Sequence, residues 1–302
     1  MSSELLDDRP AVSPGDSPLN AADETAAGPP LAETVIEPIG RGISLNLGEI
    51  WQYRDLFTLM ALRDLSARYR QSVAGFGWAI IKPLTSMLIF TFIFGRVAKI
   101  PSDGSPYPLF VLAGIIPWSY FSTTLGTVTT SIAGSGNLLT KVYFPRLILP
   151  LVAVSTGLVE VAVQMLVAFG MLAWYGINPG LRLLALPLLI LYASATVLSV
   201  GLWLTALNVK YRDVGLATPF LIQSWMWLSP VVYSSDMVNE RIRPFYGLNP
   251  MVGVIEGFRW MLTGKTQPDW MMMTVSGAVV AVLLVAGTAF FLKTELTFAD
   301  VI

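Results

Sequence analysis

The sequence predicts an all-α integral membrane protein with six transmembrane helices, an N-terminal interfacial amphipathic helix and short re-entrant gate helices before the last span. Hydrophobic residues make up 54% of the 302 residues and charged residues 13%, which is about half the charged share of a soluble domain. The mean hydropathy is +0.63. Several long stretches carry almost no charge, a pattern that is typical of helices crossing a lipid bilayer.

Six stretches are long enough to be spans, because a helix needs about 20 residues to cross roughly 30 Å of hydrocarbon. They lie at about 75–98, 107–134, 147–175, 183–207, 214–234 and 270–292. Lys82 falls near the start of the first span, where its long side chain can reach the membrane interface. A transmembrane domain is therefore expected over residues 73–302.

Two further regions are expected before this domain. Residues 1–40 contain eight acidic residues, one basic residue and six prolines, a composition that predicts a disordered acidic tail in the cytoplasm. This stretch lacks the basic start and apolar core of a signal peptide. Residues 41–72 are expected to form an interface region, since 49–70 contains no Pro or Gly and places apolar side chains on one face of a helix.

The basic residues favour cytoplasmic termini. Four arginines lie between residues 54 and 70, just before the first predicted span: Arg54, Arg63, Arg68 and Arg70. Basic residues are retained on the cytoplasmic side of a membrane, and six spans return the chain to the side where it began. We therefore expect a multi-pass protein with both termini in the cytoplasm.

The absence of His and Cys excludes imidazole acid–base chemistry, Cys nucleophiles and His/Cys metal sites within the chain. Gly264-Lys265-Thr266 resembles the end of a phosphate-binding loop, but Arg259 stands where that loop needs its first glycine. No catalytic residue, metal site or bound cofactor is therefore expected, and the chain is not predicted to be an enzyme.

Glu160 and Gln164 are polar residues inside a predicted span and are one helical turn apart. A charge at that depth costs at least about 2.5 kcal/mol, so Glu160 should face protein or water. Two interpretations stay open. Glu160 is either part of a transport or coupling path, or it is a packing residue that pairs with Gln164 or stays protonated.

Six aromatic residues lie in stretches with few charges: Trp118, Tyr120, Phe121, Trp225, Trp227 and Tyr233. They are expected either to form the interfacial belt of a multi-pass protein or to line a path for a sugar chain, since aromatic rings offer flat apolar faces.

Two connections between spans combine basic and aromatic residues, which favours either docking of another protein or simple anchoring by positive charge. The first holds Asn137, Lys141, Tyr143, Phe144, Pro145 and Arg146, and the second holds Lys210, Tyr211, Arg212 and Asp213.

The connection 236–269 is long and apolar, and its helical spacing predicts one or two short helices that dip into the outer leaflet. The candidate residues for an outer gate in this connection are Asn249, Pro250, Glu256 and Arg259. Glu256 and Arg259 are three residues apart, which suits pairing on a helix.

A series of strings then occurs in order: RDLSARYRQSVAGFGWAIIKPL, AGIIPWSYFSTTL, NLLTKVYFPRLILPL, NVKYRDV, SPVVYSSDMV and LNPMVGVIEGFRWMLTG. In order and spacing they resemble the permease subunits of bacterial ATP-binding-cassette exporters for polysaccharides. That family handles O-antigen, capsule, teichoic acid and galactan. The resemblance covers about residues 50–300 and leaves the acidic tail without a role.

The resemblance implies a homodimer in the bacterial plasma membrane whose copies line one channel, together with two copies of a separate ATPase subunit that binds ATP and Mg. It implies that Asn137–Arg146 couples to the ATPase, that 49–70 is the interface helix and that 236–265 forms gate helices. The implied substrate is a polysaccharide on a polyprenyl-diphosphate lipid, with no role for nucleic acid. Candidate diphosphate contacts are Arg41, Arg54, Arg63, Arg68 and Arg70, because guanidinium groups pair well with phosphate oxygens.

Two other functions remain open on the residues alone. An ion-coupled secondary transporter would need a relay of ionisable groups inside the spans, for which Glu160 is the candidate. A membrane enzyme acting on lipid-linked sugars would need a cluster of carboxylates or a base at the membrane face, and the sequence offers no evident one.

Overall fold

A computed structural model describes residues 47–69, 77–102, 104–139, 141–239, 241–264 and 268–295. Within these ranges, all regular secondary structure is helical, which confirms the all-α prediction. The α-helices are α1 (Leu47–Gln52), α2 (Arg54–Tyr69), α3 (Gly77–Phe90), α4 (Tyr107–Thr130), α5 (Gly136–Leu139), α6 (Ile148–Trp174), α7 (Leu186–Lys210), α8 (Asp213–Trp227), α9 (Arg243–Tyr246), α10 (Pro250–Thr263) and α11 (Trp270–Glu295). The predicted acidic tail, 1–40, lies outside the described residues.

Five helical segments are long and apolar enough to cross a membrane: Gly77–Val97, Tyr107–Thr130, Ile148–Trp174, Gly180–Lys210 and Trp270–Glu295. The first includes a π-helix at Thr91–Val97 that continues α3. These five segments match five of the six predicted spans within a few residues at most ends.

The remaining predicted span, 214–234, is helical only in its first part. Helix α8 has 15 residues and ends at Trp227, so at 1.5 Å per residue it is only about 22 Å long. Residues 228–233 form turns. Ser229 precedes Pro230, and a proline disfavours the α conformation of the residue before it. A low density of charge therefore did not reveal where this helix stops.

Helix α4 lies at the centre of the helical packing, where it contacts α3, α6, α7, α8 and α10. Two glycines allow close contacts with it. A Cβ on Gly157 of α6 would lie 2.3 Å from Thr124 Oγ1, and a Cβ on Gly201 of α7 would lie 2.6 Å from Val128 Cγ1. Small residues at such crossings let membrane helices approach closely.

The predicted interface helix, 49–70, is divided in the structure into α1 and α2, with a turn at Tyr53. Its buried anchor is Met60, which is 2% exposed. Met60 belongs to a hydrophobic cluster, here called the basal cluster, that consists of Met60, Ile132, Phe144, Leu147, Ile148, Leu149, Val152, Leu202, Ala206, Val209 and Phe291. Trp51, Leu59 and Leu62 are instead exposed, as suits residues that contact lipid.

Candidate functional site

A cavity of about 520 Å³ opens among α2, α3, α4, α6 and the end of α8. Its walls combine ionisable, hydroxyl-bearing and apolar side chains. The lining residues are Arg68, Trp78, Ala79, Lys82, Pro83, Ser86, Phe90, Ile115, Trp118, Ser119, Ser122, Thr123, Glu160, Gln164, Met226 and Val231. Such a mixture can contact an amphiphilic molecule, which needs both polar and apolar partners.

Glu160 forms an ion pair at one wall of this cavity. Arg68 Nη1 donates a hydrogen bond to Glu160 Oε1 at 2.9 Å, and Thr123 Oγ1 lies 3.5 Å from Glu160 Oε2. The Arg68 and Glu160 side chains are 29% and 17% exposed. Arg68 lies near the C-terminus of α2, so this ion pair connects α2 to the middle of α6.

Gln164 has a different partner from the one expected. Ser119 Oγ donates to Gln164 Oε1 at 2.8 Å, so Glu160 and Gln164 each bond to another helix and not to one another. The interpretation of these two residues as a mutual polar pair is therefore corrected. Spacing along one helix could not reveal Arg68, which lies 92 residues earlier in the chain.

The arginines predicted to contact a lipid diphosphate have different surroundings. Arg68 lines the cavity, whereas Arg54 and Arg63 are exposed and lie beside Asp55 and Asp64. Arg63 Nη2 is 3.0 Å from Asp64 Oδ1. Arg41 and Arg70 lie outside the described residues. Lys82, which was not among the predicted diphosphate contacts, also lines the cavity.

The six aromatic residues are not equivalent. Tyr120 and Phe121 are each 1% exposed, and Tyr120 Oη contacts Val154 O at 3.2 Å and Ser194 Oγ at 3.0 Å. As packed in this chain, both are core side chains and face no open path. Trp118 lines the cavity, whereas Trp227 is 53% exposed.

Trp225 and Tyr233 belong to the polar contacts between α8 and the following segments. Trp225 Nε1 donates to Asn249 Oδ1 at 2.9 Å, and Asn249 Nδ2 donates to Leu228 O at 3.0 Å. The Tyr233 and Tyr246 hydroxyls lie 2.9 Å apart. Burial, followed by this hydrogen bond, raises the pKa of Tyr246, so its phenol stays protonated.

The segment predicted to hold gate helices contains α9 and α10. Asn249 caps α10 by accepting a hydrogen bond from Met251 N at 3.0 Å, and the Pro250 carbonyl accepts one from Ser276 Oγ. Helix α10 packs against α4, α7 and α11. The helical form agrees with the prediction; a gating role remains a prediction.

Arg259 is a charged residue at the centre of this region and is 1% exposed. Arg259 Nη1 donates to Glu256 Oε1 at 3.2 Å and to Tyr233 O at 3.1 Å, and Nη2 donates to Val231 O at 2.9 Å. Its guanidinium carbon also lies 3.8 Å from the centre of the Phe110 ring. The i, i+3 pairing of Glu256 and Arg259 is therefore present, within the protein interior.

The first predicted docking connection has one exposed and one buried aromatic residue. Tyr143 is 57% exposed, whereas Phe144 is 3% exposed and lies in the basal cluster. Partial burial, and next the nearby Glu49, raise the pKa of Tyr143. Lys141 is exposed and Pro145 half-buried. Asn137 lies in α5, and its side chain is outside the described residues.

Arg146, at the end of this connection, forms hydrogen bonds to the last helix, α11. Its backbone N donates to Glu295 Oε1 at 3.1 Å, and its Nη1 donates to Glu295 O at 2.6 Å. Since these bonds hold Arg146 to α11, the residue has a structural role within the chain whatever it contacts in a partner.

The second connection exposes Lys210, Tyr211, Arg212 and Asp213. Lys210 Nζ lies 5.2 Å from the centre of the Tyr211 ring. Asn208 begins the predicted stretch 208–213 but was not among its docking residues, and it stabilises this turn: its Oδ1 accepts from Gly215 N at 2.7 Å and its Nδ2 donates to Thr129 O at 3.1 Å.

Five helical segments that are long and apolar enough to cross a membrane are typical of a multi-pass membrane protein, and comparison with known proteins specifies the family. Residues 55–263 match the family described as ABC-2 type transporter. The chain belongs to this family.

Several curated relatives are similar over most of the chain. It is 32% identical to the O-antigen export system permease protein RfbA of Myxococcus xanthus over 258 residues, which are 83% of this chain and 97% of that protein. Identity to a Klebsiella pneumoniae protein of the same name is 26%, over 85% of this chain and 97% of that protein. Identity to the polysialic acid transport protein KpsM of Escherichia coli is 24%, over 65% of this chain and 76% of that protein.

Proposed function

We propose that this chain is the membrane-spanning permease subunit of an ATP-driven exporter that moves a lipid-linked polysaccharide from the cytoplasmic to the outer side of the plasma membrane. The observation that carries the proposal is the cavity at Arg68, Lys82 and Glu160, which places ionisable groups beside hydroxyls and aromatic rings. The names of the relatives, which concern export of O-antigen and transport of polysialic acid, supply the substrate class.

The cavity has the chemistry that a lipid-linked sugar requires. Ser86, Ser122 and Thr123 carry hydroxyls that can exchange hydrogen bonds with sugar hydroxyls. Trp118 offers an aromatic face that can stack on a sugar ring. A translocating polymer is served better by several weak contacts of this kind than by one tight pocket.

ATP hydrolysis in this proposal belongs to a separate subunit, two copies of which bind ATP and Mg. The exposed residues around Tyr143 and Tyr211 provide a docking surface of basic and aromatic character. Phe144 supports this surface from within, because it joins the docking connection to the basal cluster.

The proposal also includes a homodimer and cytoplasmic termini. For these, α8 and the turns at 228–233 together supply the sixth crossing. The free carbonyls of such a non-helical segment need partners inside a membrane, and Arg259 provides them at Val231 and Tyr233. Leu216 and Phe220 of α8 are 80% and 71% exposed, which suits contact with lipid or a second copy.

The test is co-purification of the partner combined with a cellular assay. The tagged chain, isolated from its own cells, should copurify with an ATP-binding-cassette ATPase subunit in equal amounts. Removing this chain from cells should leave lipid-linked polymer inside and deplete it at the surface, and the same loss should follow removal of the ATPase. Normal surface polymer in either deletion, or a chain that transports without any ATPase, would contradict the proposal.

A further inference from the structure

Lys82 has no assigned role, yet its position at the cavity is distinctive. Three ionisable side chains are among the described residues that line this cavity: Arg68, Lys82 and Glu160. Arg68 is paired with Glu160 at 2.9 Å. Among the residues that the structure describes, no ion pair or hydrogen bond engages Lys82. Among the described lining residues, two are basic and one is acidic, so the unpaired positive charge is that of Lys82, whose side chain is exposed.

The groups around Lys82 suit an oxygen-rich anion. Ser86 is one helical turn further along α3, so its hydroxyl lies on the same face as Lys82. Ser119 and Ser122 line the facing wall on α4. A lysine ammonium has three donors, and the Ser86 hydroxyl can add another. The Ser119 and Ser122 hydroxyls already donate to Gln164 Oε1 and Ser119 O, so they can only accept from a ligand.

The remaining walls are apolar, which distinguishes this cavity from a site for a free ion. Phe90, Ile115, Met226 and Val231 line it beside the polar groups. Trp78, one turn before Lys82 on α3, is 48% exposed at the same wall. A ligand that satisfies both kinds of wall has an anionic head and an apolar chain.

We infer that Lys82 binds the phosphate group of an anionic amphiphile in this cavity, and that Arg68 becomes a second phosphate contact when Glu160 releases it. The inference rests on the proposed function, in which such a lipid carries the sugar. It assigns the head group to Lys82 on α3 and gives Glu160 the role of competing with the phosphate for Arg68.

These roles predict opposite effects of two substitutions. Charge-assisted hydrogen bonds contribute more than neutral ones, so Lys82→Gln should weaken binding of the phosphate about tenfold or more. Glu160→Gln keeps the size and the hydrogen-bonding capacity of the side chain but removes the competing charge. It should tighten binding several-fold, because Arg68 can then pair with the phosphate.

The binding test uses the full chain in nanodiscs of zwitterionic lipid, so that no ATPase nucleotide site is present. The probe is farnesyl diphosphate, titrated calorimetrically, and inorganic pyrophosphate and farnesol are the comparison ligands. Lys293→Gln is the matched control, because Lys293 is an exposed lysine at the end of α11 and does not line the cavity. Lys82→Arg should retain most of the affinity, which separates loss of charge from loss of fold.

The results have distinct meanings. The inference is supported by weaker binding in Lys82→Gln, tighter binding in Glu160→Gln and unchanged binding in Lys293→Gln. It is overturned by equal affinity in Lys82→Gln and the unsubstituted chain, or by equal losses in Lys82→Gln and Lys293→Gln. Inorganic pyrophosphate that binds as tightly as farnesyl diphosphate would also overturn it, since the site would then be one for a free anion.

Failure of this inference can be told apart from failure of the proposed function. If the complex exports lipid-linked polysaccharide but Lys82→Gln binds the probe normally, only the role of Lys82 is lost. If Lys82-dependent binding is observed but the unsubstituted complex exports no polysaccharide, the phosphate site stands and the proposed function is lost.

Discussion

Tyr143 and Phe144 are neighbours in the chain, but their substitution should have opposite consequences for assembly and stability. Tyr143 is 57% exposed and Phe144 is 3% exposed. Truncation of a buried Phe typically costs about 3–5 kcal/mol, whereas exposed positions away from special features usually change stability by less than about 0.5 kcal/mol. Tyr143→Asp should therefore leave the fold intact and alter only what docks against that surface.

The expected result for Tyr143→Asp is a stable permease with impaired coupling, because an added carboxylate is costly to bury in an interface that held an aromatic ring. Phe144→Ala should instead lower the melting temperature and the yield of the chain. The assay measures, for each variant, thermal unfolding, the amount of copurified ATPase and export per assembled complex.

The control for Tyr143→Asp is Met237→Asp, which places the same charge at an exposed apolar residue, 54% exposed, outside the two predicted docking connections. Full export and normal ATPase association in Tyr143→Asp would refute the assignment of this surface to coupling. A Phe144→Ala chain that is as stable as the unsubstituted one would refute the role given to the basal cluster.

Three other substitutions test the packing and the cavity. Gly157→Val should destabilise the chain by about 1–3 kcal/mol, because there is no space for a side chain between α6 and α4. The control is Gly170→Val, which should change the melting temperature little, since a Cβ at Gly170 has no neighbour within 4 Å. Equal shifts in the two variants would contradict the close crossing. Arg259→Met should cost about 3–5 kcal/mol, because it removes the guanidinium that donates to the Glu256 carboxylate and to two backbone carbonyls. Unchanged thermal unfolding would contradict this stabilising role. Trp118→Ala should slow export per complex, and more for long polymers than for short ones. Trp227→Ala is the control and should leave the export rate near normal. Wild-type export rates at both polymer lengths in Trp118→Ala would show that Trp118 does not line the transport path.

The distribution of charges along the sequence was sufficient to locate five long helices. For example, the predicted span at 147–175 corresponds to α6 at Ile148–Trp174. This works because a helix inside a membrane must satisfy its own backbone groups and must face apolar surroundings. Both requirements act on each helix separately, so the composition of each stretch is enough to indicate a span.

The end of α8 could not be located by charge density, because the contacts that support the following turns come from a distant residue. Arg259 supports the turns after Trp227 from 26 and 28 residues further along the chain, through the carbonyls of Tyr233 and Val231. The Ser229-Pro230 step was the available local signal, since a proline limits the conformation of the residue before it.

The candidate site, like the fold, could be predicted only in part from the sequence. The residue types in the predicted groups were visible in the sequence, but their partners were not. Glu160 bonds to Arg68 from another helix, and Trp225, assigned to the channel, bonds to Asn249, assigned to the gate. Long-range pairs of this kind follow from how the helices cross, which periodicity within one helix does not determine.

The central claim is most directly tested by reconstituting this chain and its ATPase in liposomes with a fluorescent, polyprenyl-diphosphate-linked glycan. The account predicts that ATP and Mg, supplied on the ATPase side, move the glycan to the opposite leaflet, where an added glycan-cleaving enzyme can reach it. It also predicts no movement with a non-hydrolysable ATP analogue or with the ATPase alone. Movement without ATP, or none in a complex that hydrolyses ATP and retains the glycan, would contradict the claim that this chain is the permease of an ATP-driven polysaccharide exporter.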